Sequence, residues 1–570
     1  MIETYAAVLA ICAASLVIGQ AAIGLCGGRR WSWLAPAVGL ALLCAVCWAT
    51  VRMPGEGVVS ALAVLGLTMA AVVYLRGRVE GSGEALRVGW PVALGAVLAT
   101  ALPFAVEGHF GILGTSFNPD MSQHLLAADR LAEGNSSQLL SQGYPLGPHS
   151  IVVALNRGLG IGLVQGFSGL TIAVAVLASL TVLAAFRDLP ALPRIAGALV
   201  VGLAYVIASY FAQGAFKETM QALFLLAFVL ALRESQKDWK ELPLKCVPAA
   251  LIAVGSVYTY SFPGLIWLGA AAVIWALLAR PALRALGLAF VVFLVAILPE
   301  VGRMLDFHSF ETFDPNGPGL GNLFGQISPF EALGIWPSGD FRLAPGDGAV
   351  PAVAYYLGIA FALALFVYGL VWFWRRRETA ILAGVAAAAL AYVAARVAGT
   401  PYTAAKAIEI ASPLVALAIL LPLLSEASRV SGLLGHKLDS RRLWAPVAAA
   451  LFIAAAGVCS LLALANAPVG PTSYSSSLSE YRRLVGEGPT VVYASPQLLE
   501  EEHGEPFLAW ELRGGRVCIK STEEPEVPAG VRFAIWDEGG WTLRRVSDPA
   551  PGKTPCPLVA ERQARQGPAR

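Results

Sequence analysis

The sequence predicts an all-α polytopic membrane protein with about 14 transmembrane helices and a small C-terminal α/β domain outside the membrane. Three observations support this prediction. Hydrophobic residues make up 57% of the 570-residue chain, and charged residues only 14%. Apolar runs of about 18 residues or more, the length needed to span a bilayer as a helix, recur along most of the chain. The loops between these runs are alternately rich and poor in lysine and arginine.

Fourteen apolar runs have the length and composition of membrane spans. They cover 5–25, 32–51, 57–75, 88–106, 164–186, 195–212, 216–232, 246–261, 263–279, 284–301, 351–374, 379–397, 406–425 and 444–465. The eighth and ninth runs meet at a short turn, SFPG. No basic segment precedes the first run, so we expect it to be a retained helix rather than a signal peptide.

The charge of the loops predicts the orientation. Seven loops carry twenty lysines and arginines, whereas the loops between them, which contain far more residues, carry eight. Basic loops stay in the cytoplasm by the positive-inside rule. The pattern therefore predicts a multi-pass protein of the cell (plasma) membrane with both termini outside. Four polar segments then share the outer face: 107–163, 211–218, 302–350 and 396–406.

The composition changes after the last apolar run. Residues 467–570 are predicted to form a linker and a small soluble extracytoplasmic domain, with strand-like runs at 490–495, 516–520, 531–536 and 541–546. Cys518 and Cys556 are the only cysteines in this region, and an oxidising exterior favours a disulfide between them.

A polar cluster, FNPDMSQHL, lies in the first long outside segment. Asp120 and His124 are four residues apart and would share one face of a helix that Asn118 could cap, with Pro119 in its first turn. A carboxylate here could take a proton from an attacking hydroxyl. His124 could orient it, contact substrate or bind a metal. Alternatively, the acid only caps a water-facing loop helix.

Four charged residues stand at helix ends on the outer side. Lys217 and Glu218 lie where one span ends and the next begins. They either mark the interface or face a shared cavity, Glu218 as a second acid and Lys217 as a phosphate contact. Arg396 ends one apolar helix and Lys406 begins the next. They either snorkel to the headgroups or bind a lipid-linked phosphate.

Two loop segments add candidate ligand contacts. Tyr144 and His149 belong to QGYPLGPHS, whose prolines and glycines indicate a shaped turn. Trp336, Asp340 and Arg342 belong to GIWPSGDFR and could offer a stacking face and hydrogen bonds to a sugar ring. The alternatives are an exposed loop histidine and an interfacial tryptophan anchor.

This layout resembles the GT-C superfamily of integral-membrane glycosyltransferases over about residues 88–425. The span 88–106 resembles the first core helix, and PDMSQH the first acidic motif, with Asp120 at the catalytic-base position. Glu218 would hold the second acidic position, and 302–350 would be the later outside loop. YPLGPH and FKE are also similar to bacterial members. Many relatives carry two adjacent acids, whereas Met121 follows Asp120 here, and Glu107 is left open as an alternative base.

The resemblance implies an inverting sugar transfer from a polyprenyl-phosphate-linked donor to a glycan, lipid or protein acceptor in the membrane or cell wall. No cofactor is assigned from the sequence, and a divalent cation held by Asp120, His124 and Glu218 is left open. Nothing indicates a nucleic-acid partner. A lipid-linked oligosaccharide transporter or flippase, a polysaccharide polymerase or ligase, and a membrane scaffold for the tail domain are the alternatives.

The implied domains follow from this comparison. Residues 1–87 would be accessory transmembrane helices, and 88–425 the GT-C-like catalytic core with its outside loops 107–163 and 302–350. The last transmembrane helix and its flanks would occupy 426–466, ahead of the linker and soluble domain.

Overall fold

The computed structural model describes residues 1–546 apart from 116, 119, 136–137, 237–238, 308–318, 432–442, 474, 501–503 and 524–525. Pro119, Cys556 and part of the predicted loop 302–350 lie outside the described residues.

The described chain is largely helical up to residue 465. The first nine helices are α1 (Ile2–Leu25), α2 (Ala35–Val51), α3 (Glu56–Leu75), α4 (Ser82–Thr100), α5 (Leu102–Glu107), α6 (Met121–Ala132), α7 (Gln138–Ser141), α8 (Gly147–Leu159) and α9 (Leu163–Val182). The next ten are α10 (Ala191–Gly202), α11 (Tyr205–Ala212), α12 (Phe216–Ser235), α13 (Val247–Ala279), α14 (Leu283–Ile297), α15 (Val301–Phe307), α16 (Ala352–Arg376), α17 (Thr379–Ala398), α18 (Pro401–Ser431) and α19 (Trp444–Ala465). Short 3-10 turns cover Pro243–Cys246, Leu298–Glu300 and Pro329–Leu333.

The helices identify a multi-pass membrane protein, with fewer clear spans than predicted. Among the described residues, nine helices are long and apolar enough to cross a bilayer, or ten if the bent pair α10 and α11 is one span. The predicted number, fourteen, exceeds this because α2 has only 17 residues, α12 carries charges at both ends and α4 begins inside a polar segment. In addition, two predicted spans fall within α13.

A sharp break divides α13 at the predicted SFPG turn. Ser261 has φ 58° and ψ −156°, which are not helical. A β-carbon on Gly264 would lie only 2.4 Å from Ser256 Oγ, although eight residues of straight helix rise about 12 Å. The chain therefore folds back sharply at Ser261. Gln221 of α12 joins both halves, since its Nε2 donates to Gly264 O at 3.0 Å and its Oε1 accepts from Ser256 Oγ at 2.7 Å.

The helices form an inner and an outer set. The apolar stretches of α9 and α18 are each 94% buried, whereas those of α3 and α14 are 11% and 17% buried. A helix that is apolar all round can only be stable in a core or in lipid. The inner set therefore forms the protein core, and the outer set presents leucine and valine side chains to the bilayer.

The predicted C-terminal domain is present as a small mixed sheet with short helices. The helices are α20 (Ser476–Ser479), α21 (Arg482–Val485), α22 (Pro496–Glu500) and α23 (Gly504–Glu511), and the strands are β1 (Thr490–Ala494), β2 (Val517–Ser521), β3 (Phe533–Asp537) and β4 (Trp541–Arg545). The strand order is β2-β1-β3-β4, with β1 parallel to β2 and β3, and β3 antiparallel to β4. Residue Val492 pairs with Ile519 and with Ile535. Helix α23 packs against α6.

The segment 107–163 is tied by its first residues to the linker that leads to this domain. Leu113 and Val469 form an antiparallel bridge. The amide of Gly470 donates to Ile112 O at 2.8 Å, and that of Gly114 donates to Pro468 O at 2.7 Å. These bonds fix the backbone a few residues before α6, and so help to set where the N-terminus of α6 lies.

Candidate functional site

One large cavity, of about 1040 Å³, collects residues from seven separate stretches of the described chain. Its apolar wall comes from the second half of α13 and from the alanine-rich face of α17, and its polar wall from the segments before α6, α8 and α12. Among its lining residues are Asn118, Asp120, His124, Tyr144, Gln213, Lys217, Glu218, Tyr260, Trp267, Asn322, Tyr402 and Lys406. Asp120, Glu218 and Lys406 therefore border the same space, as the sequence argument requires.

Asp120 is placed by the start of α6. It occupies the N-cap position itself, so the prediction that Asn118 caps this helix is wrong. Asn118 instead braces the acid, because its Nδ2 donates to Asp120 Oδ2 at 3.1 Å and its Oδ1 accepts from the Asp120 amide at 3.0 Å. A carboxylate at a helix N-terminus is stabilised by the helix dipole. Asp120 is partly exposed to the cavity.

Lys217 enters the cavity from the first turn of α12. The chain bends just before it at Gly214, with φ 73°, where a β-carbon would lie 2.6 Å from Leu113 O. The Lys217 Nζ lies 4.1 Å from the centre of the Tyr144 ring. Lys217 makes no ion pair or hydrogen bond with any residue that the structure describes. Tyr144, expected to contact ligand, thus lines the cavity and holds this ammonium through its ring.

The second lysine is paired. Lys406 Nζ lies 2.9 Å from Glu218 Oε1 and 4.4 Å from the centre of the Tyr402 ring. The side chains of Glu218 and Lys406 are only 6% and 18% exposed. A buried pair of this kind neutralises both charges locally, so the two lysines differ in what they offer to a ligand.

His124 and His149 form a pair at the wall of the cavity. Their Nδ1 and Nε2 atoms, respectively, are 3.1 Å apart. His124 lines the cavity, whereas His149 is fully buried against Phe167 and Phe216. Burial lowers the pKa of His149 to about 3, so it is neutral. The prediction that His149 contacts substrate is therefore wrong in this structure, because its ring has no exposed surface.

The GIWPSGDFR residues lie away from the cavity. Trp336 is 1% exposed and packs against Tyr355, so it offers no stacking face. Asp340 and Arg342 form an ion pair at 2.7 Å. The Arg342 guanidinium lies over the Phe117 ring, and its Nη1 donates to the backbone oxygen of Asn322. These residues thus support the cavity wall rather than line it.

Two further charged candidates also lie outside the cavity. Arg396 is exposed and donates a hydrogen bond to Gln326. It follows Ala395, which does line the cavity, but points elsewhere. Glu107, the alternative base, is exposed at the end of α5 and is not among the lining residues. Of the two acids considered as the base, Asp120 is the one that borders the cavity.

The break in α13 contributes residues that sequence reasoning missed. Tyr260, Pro263 and Trp267 flank the turn and line the cavity from both halves of the helix. A φ of 58° at Ser261 is a strained conformation for a residue with a side chain, and such strain is frequent at functional sites. The SFPG sequence predicted a turn here, but not its position beside Asp120.

Two side-chain amides, those of Gln213 and Asn322, form a second missed group. Asn322 lines the cavity and donates from Nδ2 to Phe117 O, at 3.0 Å, and to Gln213 Oε1. Asn118 adds a third amide beside Asp120. No local motif marks three amides so far apart in sequence, and only the fold brings them together.

The side chains do not fit a bound metal ion. No group of three or more histidine, cysteine, aspartate or glutamate side chains in the described part of the chain could hold one. Glu218 is bound to Lys406, and His124 Nδ1 is bound to His149. None of Asp120, His124 and Glu218 is therefore assigned as a metal ligand.

In the tail domain, Cys518 is disulfide-bonded, whereas the six cysteines that precede it in the chain are free. Cys556, its predicted partner, lies outside the described residues.

Comparison with known proteins adds no assignment. No protein-family model matches the chain, and no curated protein matches it.

Proposed function

We propose that this protein is a GT-C-type membrane glycosyltransferase that moves a sugar from a polyprenyl-phosphate-linked donor to an extracytoplasmic acceptor, with inversion and with Asp120 as the general base. The observation that carries the proposal is that one cavity holds both a carboxylate, Asp120, and a cation, Lys217, that forms no ion pair within 4 Å among the described residues. A reaction that removes a proton and releases a phosphate needs both groups.

The proposal includes a topology. Fourteen crossings are reached if the two halves of α13 cross separately and if α2, α4, α12 and the bent pair α10 and α11 each cross once. Both termini and the cavity then lie on the outer face of the plasma membrane. In support, the first outside segment is hydrogen-bonded to the linker, so these two parts lie on the same side.

The cavity has the chemical zones that such a donor needs. Ile266 and Trp267 of α13, with Ala394 and Ala398 of α17, form an apolar wall. Ile266, Ala394 and Ala398 are exposed in the structure. A prenyl chain could enter there from the bilayer. Lys217 lies further in, where it would contact the phosphate.

The chemistry follows from these positions. Asp120 takes the proton from an acceptor hydroxyl, and the oxygen attacks the anomeric carbon of the donor sugar. The new carbon–oxygen bond forms as the bond to the phosphate oxygen breaks, and the prenyl phosphate leaves with the electron pair. Lys217 stabilises the charge that develops on this leaving group. A single displacement inverts the anomeric centre.

The test uses full-length protein in detergent or nanodiscs with a panel of polyprenyl-phosphate sugars and mixed glycan acceptors. Base catalysis contributes about a hundred- to ten-thousandfold, so Asp120→Asn should lower kcat by at least about a hundredfold. Lys217→Met should raise the Kd for unglycosylated polyprenyl phosphate about tenfold or more, because one charge-assisted contact is lost. Lys217→Arg should retain most of the affinity.

Glu107→Gln is the matched control, because Glu107 is an acid at the start of the same outside segment but lies outside the cavity. It should behave as wild type. Unimpaired transfer by Asp120→Asn would contradict the base assignment. A protein in micelles that binds polyprenyl phosphate but transfers sugar from no donor would instead favour a lipid-linked oligosaccharide transporter. Transport itself cannot be observed there, because micelles have no second compartment.

A further inference from the structure

A second carboxyl group lies next to the Glu218–Lys406 pair. Glu409 belongs to α18 and follows Lys406 by three residues, so the two side chains share one face of that helix. Its side chain is 0% exposed. Glu218 and Lys406 line the cavity, whereas Glu409 is not among the lining residues. The sugar-transfer mechanism gives this buried acid no role.

The surroundings of Glu409 give its carboxyl group no direct partner. Neither Oε1 nor Oε2 has a hydrogen-bond partner among the residues that the structure describes. In the same part of the chain, the charged side chains that act on it are those of Glu218 and Lys406, and Lys217 is not one of them. Two phenols, Tyr210 of α11 and Tyr260 of α13, lie within range of its charge.

One lysine cannot neutralise two carboxylates. Lys406 Nζ is 2.9 Å from Glu218 Oε1, so its charge is already balanced by Glu218. An ionised Glu409 would be a further negative charge, buried and without a hydrogen bond. Isolation of a carboxylate in this way is so costly that the group keeps its proton instead. The three side chains therefore hold two ionised groups and one neutral acid, which is Glu409.

The balance changes when Glu218 is neutral. A buried Lys406 without a carboxylate partner would then be strongly destabilising. Glu409 is the carboxyl group one turn along the same helix, and the flexible stem of lysine lets its three N–H donors turn from one acid to the other. Glu409 can thus become the partner of Lys406 by giving up its proton.

We propose that Glu218 and Glu409 share one proton, and that Lys406 pairs with whichever of them is ionised. In the structure Lys406 is paired with Glu218, and the proton is on Glu409. In the alternative state the O–H bond of Glu409 breaks, an O–H bond forms on Glu218, and the ammonium group turns to Glu409. The number of protons and the net charge of the three groups stay the same.

The alternative state suits an anionic ligand in the cavity. As a carboxylate, Glu218 repels a phosphate oxygen, whereas as an acid it donates a hydrogen bond to that oxygen. The shared proton lets Glu218 change between these forms while Lys406 keeps a counter-ion. This use by a ligand rests on the proposed function, but the shared proton itself does not.

Infrared difference spectroscopy of the purified full-length protein at neutral pH tests the shared proton. The C=O stretch of a protonated carboxyl group is well separated from the bands of a carboxylate. Wild type minus Glu409→Gln should therefore show one protonated carboxyl group. When Glu218→Gln is the parent, subtracting the double variant Glu218→Gln with Glu409→Gln should show a carboxylate instead, because Glu409 has become the partner of Lys406.

Melting temperatures give an independent measurement on the same proteins. Each single variant leaves Lys406 with one carboxylate and should melt within about 2 °C of wild type. The double variant leaves Lys406 buried with neither and should melt about 5 °C below both single variants. Glu107→Gln is the matched control, since Glu107 is exposed, and it should change neither the carboxyl band nor the melting temperature.

Three results would overturn the inference. The first is an ionised Glu409 in the wild-type protein, and the second is a protonated Glu409 that persists in Glu218→Gln. The third is a Glu218→Gln protein that cannot be purified although Glu218→Gln with Lys406→Met can, because Lys406 would then have no second partner. None of these measurements uses a sugar donor. A wild-type protein that transfers no sugar and binds no polyprenyl phosphate would contradict the proposed function alone.

Discussion

The buried pair between Glu218 and Lys406 gives a quantitative prediction about stability. Their charged atoms are 2.9 Å apart, and both side chains are largely buried. Removing one partner of such a pair leaves an uncompensated charge and typically costs about 3–5 kcal/mol. Lys217 directly precedes Glu218 in the sequence, and its charge can compensate part of the negative charge that Glu218 retains when Lys406 is removed. We therefore expect Lys406→Met to lower the free energy of unfolding by about 3 kcal/mol.

The double variant Glu218→Gln with Lys406→Met distinguishes a lost ion pair from lost packing. It removes both charges at nearly constant volume, and replacing a buried pair by uncharged groups is often neutral. We expect it to be about 2 kcal/mol more stable than Lys406→Met alone. Arg396→Met is the control, since Arg396 is exposed, and its effect should stay within about 0.5 kcal/mol.

Denaturant titration in mixed micelles, followed by tryptophan fluorescence, measures these differences. Wild type, Lys406→Met, Glu218→Gln and the double variant form a double-mutant cycle. The cycle gives the interaction energy between Glu218 and Lys406. A Lys406→Met variant as stable as wild type, or a double variant that loses the sum of both single effects, would show that the two charges do not stabilise each other.

Three further predictions concern residues around the site. Burial, reinforced by Glu133, raises the pKa of Asp129 on α6 to about 6. Ionisation of Asp129 is thus disfavoured in the folded state, so its contribution to stability should be greatest below about pH 4 and should decline as the pH rises to about 6. Asp129→Asn should abolish this decline in melting temperature measured between pH 4 and 7. Ser261→Gly should stabilise the protein by about 1 kcal/mol because glycine accepts φ 58° without strain, and Ser261→Ala should not, in the same denaturant titration. Glu300 is fully buried and accepts from Arg303 Nε and Trp48 Nε1, so Glu300→Gln should cost about 3 kcal/mol, with unchanged stability as the contradicting result.

The sequence predicted those features that depend on local composition. Apolar runs gave most of the helices, and alternating short runs gave all four strands of the tail domain to within about two residues. The number of spans was harder to predict, because a helix such as α12 is apolar in its middle but charged at both ends. Length and composition alone do not decide whether such a helix crosses the membrane.

The site was only partly predictable, for a different reason. Four charged residues stood out because charge is rare in this chain: Asp120, Lys217, Glu218 and Lys406. Burying a charge in a membrane protein is costly, so each of them needs a structural or functional reason. His149 was assigned to the wrong surface, because no local pattern distinguishes a buried histidine from an exposed one. That distinction depends on Phe167 and Phe216, which are distant in sequence.

The two lysines show what tertiary structure adds to such a pattern. In sequence, Lys217 and Lys406 are equivalent, since each is a cation at the start of an apolar helix. In the fold, α18 turns Lys406 towards Glu218, and α12 turns Lys217 towards the ring of Tyr144. A cation held by a ring remains able to pair with an anion, whereas a cation in a buried ion pair must first break that pair. A phosphate entering the cavity should therefore bind Lys217 at lower cost, and the Glu218–Lys406 pair should serve mainly to keep the second carboxylate from competing for Lys217.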